Sequence, residues 1–146
     1  TGVDADEKLG SMLNLGFDYV MDYTKENFTG VKHQYDFILD CKTNQSVFAY
    51  RNILAPGGKY ISIGGTIGSL IRLLFLGKIL SRTSSKKYLI LALKANQGLE
   101  RIGELFTQNK IKAVVDGPYR MEEIPRLVQY FGEGRHTGKI VVKIAG

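Results

Sequence analysis

Short extended apolar runs alternate with helical stripes along the whole chain, and this alternation limits the fold more than any other feature. Residues 1–3 read as the end of a strand, and Leu9, Met12 and Leu13 then repeat at helical spacing. Asp4, Asp6 and Glu7 sit at the start of that helix, where its dipole favours acids, and Gly16 stops it. "DYVMDY" (18–23) and "YDFILD" (35–40) are strands, the second with the near-continuous apolar character of a buried parallel strand. Val47, Tyr50, Arg51 and Leu54 mark a helix that runs into Pro56. Ala55-Pro56-Gly57-Gly58 has the residues a type II turn requires, and "KYISIG" (59–64) follows as a strand. "SLIRLLFLGKIL" (69–80) predicts an amphipathic helix, and "KYLILAL" predicts a strand over residues 87–93, from Lys87 to Leu93. Leu99, Ile102, Leu105 and Phe106 form the next stripe, followed by a short extended piece over 111–115. Ile124, Leu127, Val128 and Phe131 give the last helix, with Pro125 in its first turn, and "GKIVVKIA" closes the chain as a strand. The pattern predicts one α/β domain with a doubly wound, mostly parallel sheet. Such sheets bind ligands outside the carboxyl ends of their strands, which directs attention to residues 3–4, 23, 40–43 and 63–66.

Composition removes several alternatives. With 44% hydrophobic residues the chain can build a core and is not of the disordered type. Cys41 is the single cysteine, so no disulfide forms within the chain, which fits a reducing compartment; a cytoplasmic location is expected. His33 and His136 lie far apart and outside any ligand-spaced cluster, so no zinc site is expected from this chain. The longest apolar run carries Arg72 and Lys78 and falls short of the roughly 20 residues of a membrane span. No signal peptide is visible at the N-terminus. The charge is +6, with a cluster at Arg72, Lys78, Arg82, Lys86 and Lys87. That cluster reads as a solvated face, and neither a nucleic acid nor a membrane is expected as a partner.

The glycine cluster Gly64, Gly65 and Gly68 is not a phosphate loop. The Gly-x-Gly-x-x-Gly frame begins at Ile63, and the acid expected about twenty residues on falls among Ser84 to Lys87, where the charge is basic. Glycines at a strand's carboxyl end either admit a flat ligand close to the backbone or form a plain turn, and spacing does not choose between them. Asp4, at the end of a strand, suits a ribose-binding acid, whereas Lys8 would suit a 2′-phosphate; equally, Asp4 caps a helix and Lys8 is solvated.

Three stretches in succession, "KLGSMLNLGFDYVMDYTKENF", "YDFILDCKTNQSVFAYRNILAPGGKYISIGG" and "MEEIPRLVQYFGEGRHTGKIVVKI", resemble the nucleotide-binding domain of the medium-chain dehydrogenase/reductases. The branch they resemble is the zinc-independent, quinone-oxidoreductase-like one, often labelled NAD(P)-dependent alcohol dehydrogenase. The resemblance implies a Rossmann-like fold and a cofactor that is NADP(H) or NAD(H), the choice left open by Asp4 and Lys8. It places Asp4 and Lys8 at the adenosine ribose and Tyr23 near the adenosine end. It places Cys41 beside the cofactor, and Ile63, Gly64, Gly65 and Thr66 against the nicotinamide. The family's usual valine-glycine after Cys41 is Lys42-Thr43 here. The chemistry implied is hydride transfer to or from a carbonyl, alcohol or quinone-type small molecule, bound through a catalytic domain that lies outside this chain. A homodimer paired through the strand edge of residues 87–93 is also implied.

In the family, a strand and its glycine-rich phosphate loop precede the position of Thr1, so the resemblance implies a partial domain. In the strand order 3-2-1-4-5-6 the strand outside this chain is the central one. The expectation is rearranged pairing, a strand supplied by another copy, or partial disorder at the N-terminus, together with very weak cofactor binding by the chain alone. Two other readings stand beside this one. "YDFILD" with "LAPGGKYISI" also resembles strands of adenosylmethionine-dependent methyltransferases, which finish in an antiparallel hairpin. A basic, non-enzymatic nucleic-acid-binding domain is the other.

Overall fold

The computed structural model describes residues 1–92, 94–95 and 97–144. Strand β1 (Gly2–Asp4) leads into helix α1 (Asp6–Asn14) and strand β2 (Val20–Asp22). A 3-10 turn (Phe28–Gly30) precedes β3 (Tyr35–Asp40), α2 (Val47–Ile53) and β4 (Leu54–Ser62). Then come α3 (Ile67–Thr83), β5 (Lys87–Ile90), α4 (Leu99–Thr107) and β6 (Val115–Arg120). A second 3-10 turn (Met121–Glu123), α5 (Ile124–Gly132) and β7 (Lys139–Lys143) close the chain.

The described strands form three small sheets: β1-β2, β3-β4-β5 and β6-β7. Every pairing is parallel. No strand pairing joins the sheets β1-β2 and β3-β4-β5 among the described residues; in the expected doubly wound order one further strand would fill this open seam, between β1 and β3. Of the three outcomes expected, rearranged pairing is not found among the described residues: each described strand keeps a parallel neighbour.

The core sits on β3-β4-β5 and is built from Tyr50 and Ile53 of α2, Leu54 and Tyr60 of β4, Leu73 and Leu80 of α3, and Tyr88 of β5. Tyr50, Tyr60 and Tyr88 form a ladder with ring centroids 4.6 and 6.0 Å apart. Gly77 lets α3 lie on β5, since a β-carbon there would fall 2.9 Å from that of Tyr88. Ala55 to Gly58, expected as a turn, forms a bulge within β4: Tyr35 pairs with Leu54 and Phe37 with Lys59, while Gly57 adopts φ +78°.

Several expectations shift. Strand β5 ends at Ile90, so Leu91 and Ala92 fall outside it, and Leu93 lies outside the described residues. The extended piece expected over 111–115 begins later, as β6, and passes through Gly117-Pro118, residues that argue against a strand by composition. The closing strand β7 pairs with β6 and not with the main sheet. The apolar character of β3 does not bury it: Phe37 and Leu39 are each 54% exposed. Helices α1 and α4 bury none of their side chains fully, although both carry apolar stripes. The accessible surface is 10928 Å², against about 7,500 Å² for a compact monomer of this mass.

Candidate functional site

Two groups of residues gather at the carboxyl ends of the parallel strands. The first stands where β1 ends. Asp4 closes β1, and its Oδ1 accepts a hydrogen bond from the Ala5 N–H at 2.8 Å, so it does not cap α1. Ala5 is the N-cap residue, and no side chain caps the helix. Lys8 lies one turn into α1. Both line a cleft of about 300 Å³ whose walls also include Ser11, Met12 and Leu15 of α1. The opposite wall is Val114, His136, Thr137 and Gly138, at the entrances to β6 and β7.

Tyr23, just past β2, is 52% exposed, and its N–H donates to the Asp4 carbonyl at 3.3 Å. It therefore sits beside Asp4 but is not part of the cleft wall. Lys25 fixes this corner through ion pairs to Asp6 at 2.8 Å and Asp22 at 3.2 Å. Asp22 also accepts hydrogen bonds from the Thr24 side chain and backbone, and these, with Lys25, hold its carboxyl below the usual range.

The second group joins the ends of β3 and β4. Here the structure brings Cys41, Ile63, Gly64, Gly65 and Thr66 together. The Gly64 α-carbon faces the Cys41 carbonyl so closely that an added β-carbon would stand 2.4 Å from it. At Gly65, with φ +134°, an added β-carbon would meet Thr43 at 2.8 Å. Both glycines are thus required by the contact with residues 41–43. Ile63 is 44% exposed and Cys41 is exposed, so the outer side of this shelf is open. Thr66 caps α3 by accepting from the Ser69 N–H at 3.2 Å.

Beneath the shelf lies a polar network at the 40–43 strand end to which the alternation points, with partners, Tyr50, Tyr60 and Ser62, that it does not point to. Asp40, ending β3, accepts from the Tyr60 hydroxyl at 2.7 Å and from the N–H groups of Lys42 and Thr43 at 2.9 and 2.8 Å. Burial pushes the Asp40 carboxyl up, but the hydroxyls of Tyr50 and Tyr60 with the two N–H groups outweigh it and hold the pKa below the ordinary value. Burial, followed by the hydrogen bond to Asp40 and then its charge, raises both tyrosines. Thr43 is buried, with φ +50°, a left-handed conformation that costs a β-branched residue energy. Its hydroxyl donates to the Gly64 carbonyl at 2.5 Å and lies 2.6 Å from Ser62 Oγ, tying the β3 turn to the β4 loop. Thr43, where the resemblance places a glycine of the family, holds a backbone conformation of the kind glycine adopts freely. The one signal for it in the sequence was the departure Lys42-Thr43.

A further network holds the other wall of the cleft. Asp116 accepts from the hydroxyls of Tyr119 and Tyr130, the latter at 3.0 Å, and from the Thr137 N–H at 3.1 Å. These bonds keep its carboxyl low, the Tyr119 hydroxyl contributing most. His136 stacks on Phe131 with ring centroids 4.6 Å apart. Sequence spacing treats His136 as an isolated histidine; the fold places it in the same cleft lining as Lys8.

The two groups ride on separate sheets, β1-β2 and β3-β4-β5, with the open seam between them. Among the described residues no three histidine, cysteine or acidic side chains converge, so the donor set for a zinc ion is not found in them. The parallel pairing of β6 and β7 also departs from the antiparallel finish of a methyltransferase.

Comparison with known proteins supports the same assignment. A family model described as zinc-binding dehydrogenase matches residues 15–142. Over 137 residues the chain is 24% identical to the 2-methylene-furan-3-one reductase of Solanum lycopersicum, covering 92% of this chain and 31% of that protein. It is 24% identical over 140 residues to the chloroplastic NADPH-dependent alkenal/one oxidoreductase of Arabidopsis thaliana, covering 93% and 31%. Among solved structures, the quinone oxidoreductase of Coxiella burnetii superimposes with a TM-score of 0.76 at 16% identity, over 98% of this chain and 44% of that one. The chain thus spans about a third of the length of the curated relatives it matches. With 128 consecutive residues matched and the strand order of a doubly wound nucleotide-binding sheet, the chain belongs to the zinc-binding dehydrogenase family, within the medium-chain dehydrogenase/reductases.

Proposed function

We propose that this chain is the larger part of the coenzyme-binding half of an NADPH-dependent reductase whose substrate is a conjugated carbonyl compound or a quinone. The observation that carries the proposal is the placement of both residue groups at the carboxyl ends of parallel strands, on two sheets that the doubly wound order would set on either side of one further strand. The names of the relatives, an enone reductase and an alkenal/one oxidoreductase, support the substrate class. The bound nicotinamide supplies the hydride, and the protein's part is to hold and orient it. Asp4, Lys8 and Tyr23 take the adenosine end, with Ser11 and His136 completing the cleft wall. Cys41, Ile63, Gly64, Gly65 and Thr66 form the shelf for the nicotinamide, stiffened from below by Asp40 and Thr43.

The same geometry favours NADPH over NADH. One oxygen of Asp4 is engaged by the Ala5 N–H, and Lys8 forms no ion pair among the described residues, which leaves its ammonium for a 2′-phosphate. In the whole polypeptide, Lys8→Ala is expected to lower kcat/KM for NADPH relative to NADH about tenfold or more, the worth of a charge-assisted hydrogen bond. An unchanged ratio would remove Lys8 from the site.

The catalytic domain that binds substrate, and the strand that fills the seam, belong in this reading to other parts of the polypeptide. The outer edge of β5 pairs with a second copy, and the single exposed cysteine suits a reducing compartment such as the cytoplasm.

A further inference from the structure

Helix α3 carries a surface that the coenzyme site does not use. Its inner face packs Leu73, Gly77 and Leu80 into the core. Its outer face exposes Ile71 at 48%, Leu74 at 59%, Phe75 at 70% and Ile79 at 57%. At helical spacing, Lys78 and Arg82 fall on that same outer face, Arg72 stands at its rim, and Lys86 and Lys87 follow just past the helix end. None of these five cations forms an ion pair among the described residues.

The charge around them is one-sided. Residues 41–99 contain nine lysines and arginines and no aspartate or glutamate. The remaining 87 residues hold eleven basic and fourteen acidic side chains, so the whole positive excess lies in this one segment. No described helix is long and apolar enough to cross a membrane.

We propose that α3 is a docking surface for an anionic lipid bilayer. The apolar side chains enter the boundary between headgroups and acyl chains. The long stems of Lys78 and Arg82 lie along the same layer and bring their charges to the lipid phosphates. Charge complementarity selects this occupant. A second copy docked on the outer face of α3 itself would set Arg72, Lys78 and Arg82 against their own equivalents. A nucleic acid would leave Ile71, Leu74 and Ile79 against phosphates with nothing apolar to cover them.

The test is co-sedimentation of the 146-residue chain with vesicles of phosphatidylcholine alone and with about 30% phosphatidylserine. Binding is expected to the anionic vesicles only, and to fall at high salt. Phe75→Ser with Ile71→Ser, both at exposed positions, and separately Lys78→Glu with Arg82→Glu, are each expected to lower partitioning about tenfold or more. Circular dichroism serves as the folding control. No binding at low salt overturns the proposal, as does equal binding to both vesicle types. It is also overturned if the serine pair leaves binding intact while a DNA duplex competes it away, or if light scattering shows a dimer that the serine pair dissolves. The same vesicle assay on the longer polypeptide that carries this chain is expected to show the same serine-pair loss; no vesicle binding there means another part of that polypeptide covers α3, and overturns the proposal.

Discussion

At the scale of single residues, Thr43 and Asp40 shape the site more than any residue that touches its open surface. Thr43 combines an unfavourable φ with two short hydroxyl contacts, so the hydroxyl is what stabilises the turn. Thr43→Val keeps the shape and removes the hydroxyl contacts to Ser62 and the Gly64 carbonyl, which keeps the Ser62 hydroxyl as a donor at 3.0 Å; urea unfolding is expected to show a loss of about 1–3 kcal/mol, with Thr43→Ser recovering most of it. Gly64 and Gly68 form a matched pair. A β-carbon on Gly64 collides with the Cys41 carbonyl, whereas one on Gly68 meets nothing within 4 Å. Gly64→Ala is therefore expected to destabilise by about 2 kcal/mol or more, and Gly68→Ala to be neutral or stabilising by up to about 1 kcal/mol. For Asp40 the direction of the pH effect follows from its lowered pKa in the folded state. The carboxylate's contribution to stability is fully present above the unfolded value of about 3.9 and is lost as pH falls through the lower, folded value. Asp40→Asn is expected to flatten stability against pH in that acidic window and to change little of the slope above it.

At the scale of elements, local pattern and tertiary outcome separate. The stripes of Leu99, Ile102 and Phe106 and of Leu127, Val128 and Phe131 were legible, and α4 and α5 form where they fall. Which stripes would be covered was not legible, because that depends on what lies opposite. Leu127 is 4% exposed, while Ile102 and Phe106 are each 53% exposed. Phe106→Ser is accordingly expected to change stability by less than about 0.5 kcal/mol. Leu80→Ala, in the packed face of α3, is expected to cost about 2–5 kcal/mol. Strand β6 was expected over 111–115 and forms over Val115–Arg120; Gly117 and Pro118 interrupt its apolar pattern, and its place is set by pairing with β7. The site divides the same way. Asp4, Lys8 and the loop at Ile63 to Thr66 could be found at strand ends from alternation and the family resemblance. Asp40 too stands at a strand end that alternation marks, but its partners Tyr50 and Tyr60, like Ser62 and His136, are brought in by contacts between elements distant in sequence, which no local spacing encodes.

At the scale of the molecule, the open seam and the uncovered faces describe one condition. Parallel sheets are stable when both faces and both neighbours are filled, and here β1 and β3 each present a free edge beside exposed Val3, Phe37 and Leu39. The excess of accessible surface over a compact monomer has the size of an obligate interface. The two residue groups of the proposed coenzyme site lie on opposite sides of that seam, so the central claim is that one extended dinucleotide spans both. An NMR titration of the chain with NADPH tests this most directly. Binding is expected to be weak, in the millimolar range, with amide shifts concentrated at Asp4 to Lys8, His136 to Gly138 and Ile63 to Thr66 together. Micromolar affinity, or shifts that spare these segments, would contradict it.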